Sequence, residues 1–184
     1  MTEEYKTLES QIREVYGRVI YSHKTHEKCA DLFNKRSTIL KVTELVLSSV
    51  TTTSILGALI GNGKTFEIIA AFFSTILLFL NFYTKDFDLP AISEKHKQAA
   101  LEILLIREKL LSLLVDIRIG NRSIIDLQVT RDGLIENLVN TYRASPKTTS
   151  KGYQMASKAL QEDEEFTFTE DEIDNFLPPS LRRL

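Results

Sequence analysis

The chain has 184 residues, 26% of them charged, and a formal charge of −2: enough for one domain, and too balanced for a globally basic nucleic-acid binder. Direct nucleic-acid binding is therefore not expected. A single cysteine, Cys29, excludes an intramolecular disulfide and suits a reducing compartment. The opening Met1-Thr2-Glu3-Glu4 lacks the basic and then apolar run of a signal peptide. Only four prolines and seven glycines occur, with no proline before Pro90, so the chain reads as all-α. A mean hydropathy of −0.10 hides strong segregation, because the apolar residues crowd the middle of the chain.

In the N-terminal segment, residues 1–41, Leu8, Ile12, Val15, Val19, Cys29 or Ala30, and Phe33 recur at steps of three and four between charges. That spacing predicts an amphipathic helix. Gly17 is the only glycine before Gly57, so the helix is free to continue past Lys41 as one rod.

Residues 42–86 read as a transmembrane helical hairpin. Two uncharged stretches, Leu45 to Gly63 and Ile68 to Thr84, flank Lys64, Thr65, Phe66 and Glu67. At 1.5 Å per residue they reach about 25–28 Å, just under a hydrocarbon thickness of about 30 Å. The polar connection Gly61-Asn62-Gly63-Lys64 suits a turn at a membrane surface. Lys24, Lys28, Lys35, Arg36 and Lys41 precede the spans and Lys85, Lys95 and Lys97 follow them, against Lys64 in the turn. The positive-inside bias then predicts both termini in the cytoplasm of a cell whose inner membrane holds the hairpin.

Residues 87–144 read as cytoplasmic helices. Ser93 is a possible cap for a helix to about Ile119, with Ala100, Ile103, Leu104, Leu110, Leu111, Leu114 and Ile117 as its apolar face. Ser123 with Asp126 forms a capping-box pattern for another helix to about Arg143, with Leu127, Leu134, Leu138 and Tyr142 along one face and Gly133 as a weak point. Residues 145–184 read as a polar linker, a short helix from Tyr153 to Gln161, and a flexible acidic tail. Phe166, Phe168, Ile173, Phe176 and Leu177 punctuate that tail and form its candidate partner-docking residues. On charge alone the tail is solvated and quiet; the interleaved aromatics argue for docking.

Few residues offer chemistry. Gly63-Lys64-Thr65 looks like the end of a P-loop, but Ala58 stands where that motif needs glycine and Gly57 comes one residue too early, so a membrane turn is expected. His23, His26 and Cys29, with His96, have donor atoms suited to a metal, yet lack the loop-spaced cysteines of structural zinc sites. They read as a partly solvated helix face, and no metal, cofactor or catalytic residue is assigned. The first span is rich in hydroxyls, and Ser49, Thr53, Gly57 and Gly61 form a ladder of small residues at intervals of four. Two readings stay open: a helix-association or pore-lining face, or hydroxyls that merely bond carbonyls one turn back. In the second span Phe72, Phe73, Ile76, Leu77, Leu78, Phe79, Leu80 and Phe82 suit lipid.

This layout resembles the SLATT family of two-transmembrane effectors in bacterial conflict systems. The resemblance rests on the helix with Arg13, Tyr16, Arg18, Tyr21 and His23, the hairpin, His96 and Lys97 after Pro90, and the ending Leu177-Pro178-Pro179-Ser180-Leu181-Arg182. It implies a non-enzymatic antiphage effector, held inactive until a partner nucleotide-signalling enzyme or reverse transcriptase signals, which then homo-oligomerises in the lipid bilayer and permeabilises it. The alternatives are a membrane scaffold that recruits a partner through its bundle and tail, or a soluble helical oligomer with the hairpin as its core.

Overall fold

The computed structural model of the protein describes residues 2–61 and 64–182. It is helical, with no strand among the described residues. Helix α1 (Glu3–Ile60) runs for 58 residues without interruption, about 87 Å at the α-helical rise. Helices α2 (Lys64–Asp86) and α3 (Leu89–Ile119), separated only by Phe87 and Asp88, return along it. The antiparallel pairing is visible in its cross-links: the Tyr5 hydroxyl donates to the Arg122 carbonyl (3.1 Å) and Ser93 to the Ala30 carbonyl (2.8 Å).

Helix α4 (Ile124–Ala144) turns back beside α3, and α5 (Ser150–Gln161) packs on α1. Arg131 of α4 donates to Gln11 (2.8 Å), Tyr142 to Ser22 (2.8 Å), and Gln161 of α5 to Tyr21 (2.6 Å). One hydrophobic core results, in which Leu8, Ile12, Val15 and Val19 of α1 meet Ile103, Ile106, Leu110, Leu113 and Ile117 of α3 and Leu127, Leu134 and Leu138 of α4. The chain ends in a short helix, α6 (Glu170–Phe176), and a single 3₁₀ turn at Pro179–Leu181.

Several local expectations are met. Ser123 caps α4 by accepting from the Asp126 amide, and Gly133 does not interrupt that helix. Gly120 closes α3 at φ 72°, a left-handed geometry that costs least without a β-carbon.

Others are corrected. Helix α3 starts at Leu89, not Ser93: Asp88 is its cap, accepting from the Ala91 amide (3.0 Å), and Pro90 sits in the first turn, where its missing amide hydrogen costs nothing. Ser93 is buried and spends its hydroxyl on α1 instead. Leu104, Leu111 and Leu114 are not fully buried, because α3 turns Ala99, Ile106 and Leu113 to the core. Helix α5 begins three residues before Tyr153, since the Thr149 hydroxyl accepts from the Gly152 amide (3.0 Å) and caps it. Asn62 and Gly63 of the expected turn lie outside the described residues.

Candidate functional site

Along the outer half of α1 and along α2, most apolar side chains point away from the protein. Only 6% of the most apolar window of α1, and none of that in the segment Lys64–Ile119, is buried. Ile55, Leu56, Leu59 and Ile60 on α1, and Ile68, Phe72, Leu78, Phe79 and Phe82 on α2, are exposed. Water does not tolerate so large a continuous apolar surface on a monomer; lipid does. Helix α2 has 23 residues, about 35 Å, so it is longer than its uncharged stretch and sufficient to cross. At the bundle end, the Thr84 hydroxyl donates to Glu44 (3.0 Å), and the tilted ring pair Tyr83 and Phe87 (centroids 4.8 Å apart) lies close to Lys41 and Asp88. An amphipathic ring such as that of Tyr83, set among charges, is what a membrane interface favours.

The hairpin interface itself is made by half-buried Leu47, Ser48, Thr51 and Ala58 against Ile69, Phe73, Leu77 and Leu80. Its two most buried members, Ser54 and Ala70, are small and permit close helix approach. Phe73, Leu77 and Leu80 therefore turn inward, whereas Phe72, Ile76, Leu78, Phe79 and Phe82 face out.

The small-residue ladder does not stay on one face. A step of four residues advances 400°, so each rung drifts about 40°. Ser49 and Thr53 lie exposed on the outer arc, and Gly57 has turned toward α2, where an added β-carbon would come within 2.9 Å of the Phe66 ring. Gly61 ends the helix, its amide donating to Gly57 (2.9 Å). The hydroxyls of Ser49, Thr51, Thr52 and Thr53 each bond a carbonyl one turn back, at 2.8 to 2.9 Å. With its hydrogen spent internally, each side chain still shows an oxygen and a small profile to a neighbouring helix.

The histidines of α1 are not a solvated face. His23, His26, Cys29 and His96 are all buried. Steps of three drift backward by about 60°, so the three α1 residues reach different neighbours. His26 Nδ1 meets His96 Nδ1 of α3 at 3.0 Å, and Phe33 stacks on His96 with centroids 5.5 Å apart. Cys29 instead faces the start of α5, its sulfur accepting from the Thr149 amide (3.4 Å). Gly152 packs so closely on that sulfur that a β-carbon has no room. Burial, aided by His96 and His23, pushes the His26 pKa down to about 4, and burial lowers His96 as well. Both rings are then neutral near pH 7, and one donates to the other. No group of three or more ligating side chains converges among the described residues.

His23 belongs to a separate cleft between α1 and α3, about 530 Å³ in volume. Lys24 is almost buried in its wall, bonded to Glu27 (2.9 Å) and paired with Glu165 of the tail; Lys28 holds the other oxygen of Glu165 (2.9 Å). The adjacent Phe166 ring stacks on His23 (5.5 Å, 27°), with the Lys24 ammonium 4.4 Å and the Arg107 guanidinium 4.8 Å from its centre. Burial depresses the Lys24 pKa, but Glu165 and Glu27 outweigh it and the net shift is upward; hydrogen bonds from Lys24 and Lys28 lower that of Glu165. His23 is lowered, chiefly by burial. The Phe166 ring keeps its outer side exposed; Phe168, Ile173 and Phe176 are also exposed, and Leu177 is half-buried.

The chain matches the family model of the SMODS and SLOG-associating 2TM effector domain, family 4, over residues 8–172. It belongs to the SLATT family. Its helical hairpin agrees with the 2TM of the family description: among the described residues, two helices are long and apolar enough to cross a membrane, α1 and the one following it. The family is one of effector domains associated with SMODS and SLOG modules, which implies a role in a conflict system. No curated protein and no solved structure matches the chain. Of the residues that carried the resemblance, His23 and Lys97 line the cleft between α1 and α3, whereas Arg13 and Arg18 are exposed and pair with Glu9 and Glu14.

Sequence reasoning did not reach the clamp of Lys24, Lys28 and Arg107 on Glu165 and Phe166. Its one local signal was Lys24 and Lys28 at i, i+4, a like-charged pair that a helix accepts at a cost unless an anion lies across it.

Proposed function

We propose that this SLATT protein is the membrane effector of a bacterial antiphage system, resident in the inner membrane with both termini cytoplasmic. On activation by a partner nucleotide-signalling or reverse-transcriptase module it homo-oligomerises through α1 and permeabilises the membrane. The observation that carries this reading is the hairpin's unburied apolar surface, broken on α1 by an outward arc of Ser49, Thr52 and Thr53. Lipid accommodates the apolar part; copies that turn their hydroxyl arcs to a shared axis give water a path. A second exposed stripe on α3, formed by Leu101, Leu105, Val115 and Ile119, supports assembly of the bundles as well.

The test is membrane potential in cells in which the protein and its partner module are expressed together. Activation is expected to collapse the potential, and Ser49→Leu with Thr53→Leu to prevent collapse while membrane insertion is kept. Gly57 is a poor probe of assembly, since its bulk is limited by Phe66 in the same chain. Toxicity with an intact potential would sink the proposal.

A second reading, a scaffold that recruits its partner, is favoured by α6. A full capping box at Thr169 and Glu172 holds this seven-residue helix, and it presents Ile173 and Phe176 outward. Deletion of residues 168–184 then abolishes recovery of the partner, and the potential stays intact in every state.

A further inference from the structure

The cleft between α1 and α3 holds the tail in the manner of a bound ligand. One carboxylate is shared by two lysines, and the ring next to it in sequence lies among a histidine, a lysine and an arginine. Glu164 and Phe166 adopt positive φ, 50° and 76°, which residues other than glycine rarely take up. Backbone of this kind persists where surrounding contacts impose it, and it collects at functional sites. The cleft beside the tail is not filled: Ala30, Ala100, Leu101 and Leu104 line it, together with Lys97 and the acids Glu27 and Asp31. The volume lies within the range of small-molecule sites. His23 is buried, and its Nδ1 has no hydrogen-bond partner among the described residues.

We propose that this cleft is a binding site for a small anionic aromatic ligand, a planar ring carrying a phosphate or carboxylate, and that Glu165 and Phe166 are its built-in competitor. The ligand's anion takes the place of the Glu165 carboxylate between Lys24 and Lys28, and its ring takes the place of Phe166 between His23 and Arg107. His23 Nδ1 supplies a further polar contact. Lysines and arginines bind phosphate and carboxylate alike, and the face of a planar ring attracts cations. Because the tail and the ligand claim the same groups, binding releases residues 164–168 from the bundle. The site is independent of the pore reading, since occupancy needs no membrane.

The test uses the full chain in detergent with adenosine 5′-monophosphate as probe, and adenosine and inorganic phosphate as arms that carry only the ring or only the anion. Binding is read by calorimetry, and tail release by chymotryptic cleavage at Phe166 and Phe168. The monophosphate is expected to bind and to speed cleavage, with each arm at least about tenfold weaker. Glu165→Gln with Phe166→Ala should bind the probe about tenfold tighter than the natural chain, because removal of a competing state raises apparent affinity. Lys28→Ala, which alters a partly exposed side chain and should leave the fold intact, weakens binding about tenfold in that background. A tail that serves only to stabilise the bundle predicts the reverse, no gain from the tail variant. Absence of binding to the tail variant, equal binding of adenosine, or indifference to Lys28→Ala each overturns the proposal.

Discussion

The two halves of α1 are one uninterrupted helix with opposite surfaces. From Leu8 to Ala30 the apolar stripe is buried under α3, α4 and α5, and every charged residue but Lys24 keeps contact with solvent; from Val42 to Ile60 most apolar side chains face out, with Leu47, Val50 and Ala58 half-buried, and Ser54 is the most buried. The backbone is the same in both. The solvent for which each half is built differs, and residue order alone encodes the change.

Substitutions in the two halves should therefore behave differently. The largest effect is expected in the bundle core, where Ile103 has no exposed surface: Ile103→Ala should cost about 2–5 kcal/mol, measured by denaturant unfolding of the bundle in detergent. A cost below about 1 kcal/mol would show that α1 and α3 are not packed as described.

The buried histidines make the bundle sensitive to acid. The His26 pKa lies at about 4 in the fold and near 6.5 when unfolded, so between these values the unfolded chain binds more protons. Stability is complete above about pH 6.5 and falls as the pH drops toward 4, by up to about 3 kcal/mol. His96 and His23, both lowered, act in the same direction. A bundle as stable at pH 4.5 as at pH 7 contradicts a neutral buried pair.

A smaller loss is expected where α5 docks. Gly152→Ala places a methyl group against Cys29 and should cost about 1–3 kcal/mol, seen as faster proteolysis of residues 150–161 while α3 and α4 remain protected. The smallest effect belongs to the hairpin. Leu56→Ala, on an exposed apolar face, should change bundle stability by less than about 0.5 kcal/mol. A larger loss would mean that Leu56 is packed against protein, as in an assembly with the hairpin at its centre.

Periodicity made much of this legible. Leu8, Ile12, Val15 and Val19 mark the buried stripe of α1 without reference to any partner, and Ser123 with Asp126 marks the start of α4, because both depend on residues within a turn or two of each other. The roles of Ser93 and His96 depend on residues 63 and 70 positions away, so no local pattern carries them. The same holds for Phe166, which composition assigned to an open tail and the fold placed against His23.

By itself, the sequence determined that the chain is helical, that it contains a hairpin too apolar for water, and where its charges frame that hairpin. Each of these follows from local composition, through hydrophobic transfer and the helical repeat. Only the tertiary structure decided which way each helix faces and which distant groups meet. Small angular drifts, 40° for steps of four and 60° for steps of three, move equally spaced residues onto different neighbours. They turn Gly57 into the hairpin and leave Ser49 outside it, and they send His26 to His96 while Cys29 meets α5.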